Sequence, residues 1–142
     1  DLTPLKGAPI EQLHFGSVLV TSLEPLRGMP LVNLGLSHVN ISDIGPITGM
    51  PLREFHMSHV PVENIGPLAG MPLRGLYLGD CPRITDLSPI RTCRSLERLL
   101  LPPNARDIEF LRDMPHLTQI SYAEQLLSAE EFWRVHDARQ AQ

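Results

Sequence analysis

The phrase Gly-Met-Pro-Leu is written three times in this chain, starting at Gly28, Gly49 and Gly70, with 21 residues from each copy to the next. A catalytic loop needs to be written only once, so a triplicated phrase at a fixed period points to a fold assembled from equivalent coils. A wider pattern of three apolar positions, L-x-x-L-x-L, surrounds it and occurs six times. The copies are Ile10-Leu13-Phe15, Leu31-Leu34-Leu36, Leu52-Phe55-Met57, Leu73-Leu76-Leu78, Leu96-Leu99-Leu101 and Leu117-Ile120-Tyr122. Their starts are 21, 21, 21, 23 and 21 residues apart. A second phrase runs between them: Asp43-Ile44-Gly45-Pro46-Ile47, echoed as Asn64-Ile65-Gly66-Pro67-Leu68 and Asp86-Leu87-Ser88-Pro89-Ile90. The opening Asp1-Leu2-Thr3-Pro4-Leu5 is the same phrase without its strand, so the chain is expected to be a piece of a longer protein that begins in mid-coil.

Alternation of apolar and other residues in x-L-x-L has period two, which sets the leucines on one side of a short strand and their neighbours on the other. The proline phrase suits a tight turn or a single helical turn. Proline has no N–H for a sheet ladder, and its φ is fixed near −65°. In Gly-Met-Pro, glycine permits the turn back toward the next strand, methionine fills the gap beneath it, and proline holds the strand entry extended. One such coil cannot bury its own leucines. Stacked coils shield one another, and that requires the same residues at the same places.

This pattern resembles the leucine-rich repeat family, and Asp-Ile/Leu-x-Pro-Leu/Ile resembles its bacterial, internalin-like branch. The resemblance covers residues 1–122 and implies an α/β solenoid. That fold is a right-handed superhelix with a short parallel sheet on its concave face, turns or 3-10 segments on its convex face, and a C-terminal helical cap over residues 123–142. About six coils are expected, the first incomplete. Members of the family often carry Asn three residues after L-x-L to satisfy backbone groups at the corner. Here those positions are Val18, Val39, Val60 and Cys81, and only Asn104 conforms, so the corner hydrogen bonds are expected to go to backbone partners or water. Extra residues around Cys81-Pro82-Arg83 and the Pro102-Pro103 pair mark the places where the regular curvature is expected to change.

After Tyr122 the pattern stops. Ser128-Ala129-Glu130-Glu131 reads as a capping box that opens a helix through about Arg139, with Ser128 as N-cap and Glu131 at the third helical position. Phe132, Trp133 and His136 share one side of it with Ala129, as a cap over the last coil's leucines requires. A helix that docks a partner through Trp133 is the alternative. The ending around Ala-Glu-Glu-Phe-Trp is similar to planctomycete-type repeat proteins, some of them tails of serine/threonine kinases. This resemblance implies a second function class, a regulatory or substrate-positioning tail of a multidomain enzyme.

Chemistry has little to stand on. No nucleophile elbow, phosphate loop, zinc-protease helix or dinucleotide fingerprint occurs, so no catalytic residues and no cofactor are expected. A net charge of −4 supplies no basic stripe for nucleic acid, and Pro and Gly interrupt every apolar run well short of a membrane span. Cys81 and Cys93 are too few and too far apart for a disulfide framework and read as small core residues, while Asn40-Ile41-Ser42 matches the glycosylation sequon without other signs of secretion. No signal peptide precedes Asp1, which tilts the expectation toward the cytoplasm and leaves the compartment open.

Outward positions form two rows: Gln12, Asn33, Glu54, Gly75, Arg98, Gln119, and His14, Gly35, His56, Tyr77, Leu100, Ser121. Adjacent members lie about 5 Å apart and alternate ones about 10 Å, so His14 and His56 are not expected to share a metal. His38, His59 and Asp80 form a straight column at the strand exits, too spread to converge on zinc and expected as a solvated edge. No metal site is expected. What remains is a patch of interface composition, Tyr77 beside Leu100 with His56, Arg98 and Pro102 around it. The chain is therefore expected to be a non-catalytic module that binds a protein partner on its concave face, with self-association through the uncapped N-terminal end as a further expectation.

Overall fold

A computed structural model describes residues 2–122 and 125–141. The junction at 123, where the sequence places the start of the cap, lies outside the described residues. Six parallel strands stand in sequence order: β1 Gln12–Gly16, β2 Asn33–Ser37, β3 Glu54–Ser58, β4 Gly75–Asp80, β5 Arg98–Leu100 and β6 Gln119–Ser121. A short β7, Leu127–Ser128, adds to β6 antiparallel. Equivalent residues of neighbouring coils stand opposite each other, as in Leu13↔Leu34, Leu34↔Phe55, Phe55↔Leu76 and Leu76↔Leu99. This register stacks Leu13, Leu34, Phe55, Leu76 and Leu99 in one column. Leu34, Phe55, Leu76 and Leu99 are fully buried, and each fully buried apolar side chain stabilises the fold by about 1.5–3 kcal/mol.

Behind the sheet, each coil returns through a 3-10 turn: Thr3–Leu5, Glu24–Leu26, Gly45–Ile47, Gly66–Leu68, Ser88–Thr92 and Ile108–Asp113. Proline fits the start of the first five, where its missing N–H leaves no bond unmade. The Asp or Asn that opens the phrase turns the chain. Asp43 Oδ1 accepts from the Gly45 N–H at 2.7 Å, Asn64 Oδ1 from Gly66 at 2.7 Å and Asp86 Oδ1 from Ser88 at 2.9 Å. The glycines of Gly-Met-Pro are needed for backbone conformation alone. Gly28, Gly49 and Gly70 have φ of +81°, +81° and +75°, and a Cβ on any of them would touch nothing within 4 Å.

The corner without asparagine is solved by the backbone. Ser17, His38 and His59 adopt left-handed φ of 54°, 54° and 56°. Their N–H groups donate to the next coil: Ser17 to Ser37 O at 2.9 Å, His38 to Ser58 O at 2.9 Å and His59 to Asp80 O at 3.0 Å. Val39 and Val60 are then free to be buried. In the later coils a side chain does the work, with Cys81 Sγ donating to Met57 O at 3.4 Å and Asn104 Nδ2 to Pro82 O at 2.8 Å. Burial raises the thiol pKa of both Cys81 and Cys93, which sit in the core as free thiols. One of the two extra residues of coil four appears as a register shift, since His56 pairs with Tyr77 but Ser58 with Asp80.

The C-terminal helix, α1, spans Ala129–Gln140, and Ser128 Oγ accepts from the Glu131 N–H at 3.2 Å. Phe132 and Trp133 pack onto the core. The Arg112 guanidinium lies 4.1 Å from the Trp133 ring centre and pairs with Glu109 and Asp137, while His136 Nε2 meets Glu109 at 3.2 Å. The last strand departs from the expected alternation. Ser121, expected to face outward, is buried because β7 and α1 fold over it, and Tyr122, expected in the core, is exposed and lies 5.8 Å from the Phe132 ring. At the opposite end β1 pairs with β2 alone among the described residues. Leu13 and Phe15 are half-buried there, and Val18 and Leu19 are exposed.

Candidate functional site

Register brings His56, Tyr77 and Leu100 side by side on β3, β4 and β5, with Arg98 two residues before Leu100. The side chains form an ordered array. His56 stacks on Tyr77 with ring centres 4.3 Å apart and planes within 11°. Arg98 Nε donates to the Tyr77 hydroxyl oxygen at 3.1 Å, and Arg98 Nη2 donates to Glu54 Oε1 at 2.5 Å. Arg98 thus bridges two coils back to Glu54, and these bonds raise its pKa further and hold it charged, the Tyr77 hydroxyl contributing most.

Two glycines make this reach possible. At Gly75 a Cβ would stand 2.0 Å from Glu54 Oε2 and 2.9 Å from Tyr77 Cε2, so the missing side chain is the channel through which Glu54 crosses to Arg98. Gly35 plays the same part for His14, whose Nδ1 would lie 2.3 Å from a Cβ there. His14 leans across it until its ring centre is 6.0 Å from that of His56. The separation of about 10 Å expected from strand spacing alone does not hold, because the rung between them carries no side chain. Burial lowers the His56 pKa, opposed by the Glu54 carboxylate and aided by His14, so the imidazole is neutral at pH 7.

Of the residues singled out in sequence, His56, Tyr77, Arg98 and Leu100 come together and are half-buried rather than standing clear. Leu100 rests over Gly79, where a Cβ would lie 2.8 Å from its Cδ2. Pro102 is buried and offers no surface. Trp133 is likewise buried, 9% exposed, between Phe132 and the Arg112 guanidinium. Glu54 and His14 belong to the array and were missed; the signal was the glycine at 75 and at 35 in rows whose other members carry side chains. Asn33 Oδ1, beside Glu54 in the outer row, is buried with no hydrogen-bond partner among the described residues.

The strand-exit column is tighter than a solvated edge requires. His38 and His59 stack with ring centres 4.2 Å apart, Ser37 Oγ and Ser58 Oγ hold their Nδ1 atoms at 2.8 and 2.9 Å, and Ser58 Oγ donates to Asp80 Oδ2 at 3.2 Å. Among the described residues no group of three or more His, Cys, Asp or Glu is placed to hold a metal ion, and no helix is long and apolar enough to cross a membrane.

Solved structures similar to this chain include internalins of Listeria monocytogenes. The chain is 27% identical to internalin inlF over 78% of its own length, with a TM-score of 0.68. It is 22% identical to internalin C2, inlC2, over 85% of its length, with a TM-score of 0.61, a likeness of fold alone. The chain spans 34% of the first of these proteins and 65% of the second. No family model and no curated protein matches it.

Proposed function

We propose that this chain, a leucine-rich repeat solenoid of the bacterial internalin-like type, is a non-catalytic module that seats a protein partner on its concave face, as part of a longer protein. The observation that carries this is the array His56–Tyr77–Arg98–Glu54 with Leu100 beside it. Each side chain in it is already held by its neighbours, so a partner that docks there has little rotamer freedom left to freeze. Aromatic and arginine groups set among apolar ones are also the commonest binding hot spots. No nucleophile in the array is paired with a base, and its one perturbed imidazole is neutral and stacked rather than aimed at a reacting group.

The test is capture of partners with the full-length protein, beside a variant carrying Tyr77→Ser and Leu100→Ser. A hot spot implies a loss of about 2 kcal/mol or more, roughly thirtyfold in Kd, for the captured protein. Equal retention by a variant with an unchanged melting curve would remove this patch as the binding site.

A further inference from the structure

Four of the protein's six histidines lie on the first three strands and their exits, and two of them, His14 and His56, line one shallow depression beside the Tyr77 array. His14 and His56 line it, across a floor of Gly35 and Leu36. Ser37 and Ser58 line its far side and hold the rings of His38 and His59. The imidazoles are therefore grouped in two close pairs, with ring centres 6.0 Å and 4.2 Å apart.

Resting on the concave-face reading above, we propose that this depression is a carboxylate-binding subsite that engages an acidic segment of the partner when its imidazoles are protonated. Two imidazolium ions at stacking distance repel each other, whereas a carboxylate set against a pair removes that repulsion, so protons and acidic ligand stabilise each other's binding. Imidazole is the side chain whose charge changes between about pH 5 and 8, which places the response in the mildly acidic range. The fixed charges facing these rings permit it. Glu54 on β3 is taken up by Arg98 of β5, and the Tyr77 hydroxyl oxygen on β4 accepts from the same guanidinium. Asp80 on β4 is the carboxylate that accepts from Ser58 Oγ, beside His59. The imidazoles outnumber it, so their protonation leaves the depression net positive. Burial lowers the His56 pKa in the free protein, and a bound carboxylate would raise it again.

A fluorescein-labelled hexaglutamate peptide is the probe, titrated by anisotropy at constant ionic strength at about pH 5.5 and 7.5, with calorimetry in two buffers to count protons. The expected result is at least tenfold tighter binding at the lower pH with net proton uptake. Replacing His14, His38, His56 and His59 together by Asn should abolish that gain, Asn being tolerant of the left-handed backbone at 38 and 59. His116→Asn should keep it. Should the quadruple variant not fold, the exposed pair His38→Asn and His59→Asn alone should reduce the gain at least threefold. Equal affinity at both pH values, binding without proton uptake, or a gain that survives these changes would overturn the proposal. Because Tyr77 and Leu100 lie outside the depression, a captured partner lost through their replacement while hexaglutamate shows no pH response would overturn the subsite and leave the binding face standing. The converse result would remove the hot spot and keep the subsite.

Discussion

If coils are held by their neighbours, the same substitution should cost different amounts at different places in one column. Leu13 and Leu76 occupy equivalent positions on β1 and β4. Leu76 lies between Phe55 and Leu99 and is fully buried, whereas Leu13 pairs with Leu34 alone among the described residues and is half-buried. Leu76→Ala removes three carbons from a closed interior and leaves a cavity with coils on both sides, which costs about 2 to 5 kcal/mol. At Leu13 the side chain is already half-exposed. Half of the transfer and cavity cost remains, so Leu13→Ala should cost about 1 to 2.5 kcal/mol. Urea unfolding followed by circular dichroism gives both values, provided the m-values match the wild type. Equal losses at the two sites would refute neighbour-by-neighbour stabilisation. A loss below about 0.5 kcal/mol at Leu76 would refute its place in the core.

The two kinds of glycine should separate in the same way. Gly70→Ala meets no atom and costs only the left-handed backbone, about 1 to 2 kcal/mol, with partner binding unchanged. Gly75→Ala should cost a similar amount through crowding while detaching Glu54 from Arg98, so that partner affinity falls with it; intact affinity would show that the Glu54 crossing is irrelevant to binding. For His56 the folded pKa lies below its ordinary value of 6.5, so the unfolded chain takes up the proton first and stability is lost as pH falls below about 6.5. Denaturant midpoints measured from pH 8 to 5 should fall less steeply for His56→Gln than for the wild type, and parallel curves would contradict the burial of this imidazole.

The period, the strands, the proline turns and the helix after Ser128 could be read from the sequence because each depends on local spacing repeated at a fixed offset. The Asx turns were present as Asp43, Asn64 and Asp86, but only the structure shows what their carboxyl and amide oxygens accept. The array on the concave face was half legible. Period two places His56, Tyr77, Arg98 and Leu100 outward, yet the partners Glu54 and His14 reach them across glycines from non-adjacent positions, which strand spacing does not encode. Ser121 and Tyr122 exchanged roles because the alternation rule knows nothing of a two-residue antiparallel strand and a helix arriving from 127 onward. Trp133, legible as an aromatic on a helix, became part of the cap once Arg112 covered its ring.

Binding through the concave array is tested most directly by hydroxyl-radical footprinting of the complex formed by the full-length protein and its captured partner. Tyr77, Leu100 and His56 should be modified several-fold more slowly in the complex than in the free protein, while Leu19 and Tyr122, exposed away from the array, should keep their free rates. Protection of Leu19 or Tyr122 with unchanged modification of Tyr77, Leu100 and His56 would contradict the concave-face account and move the interface to an end of the solenoid.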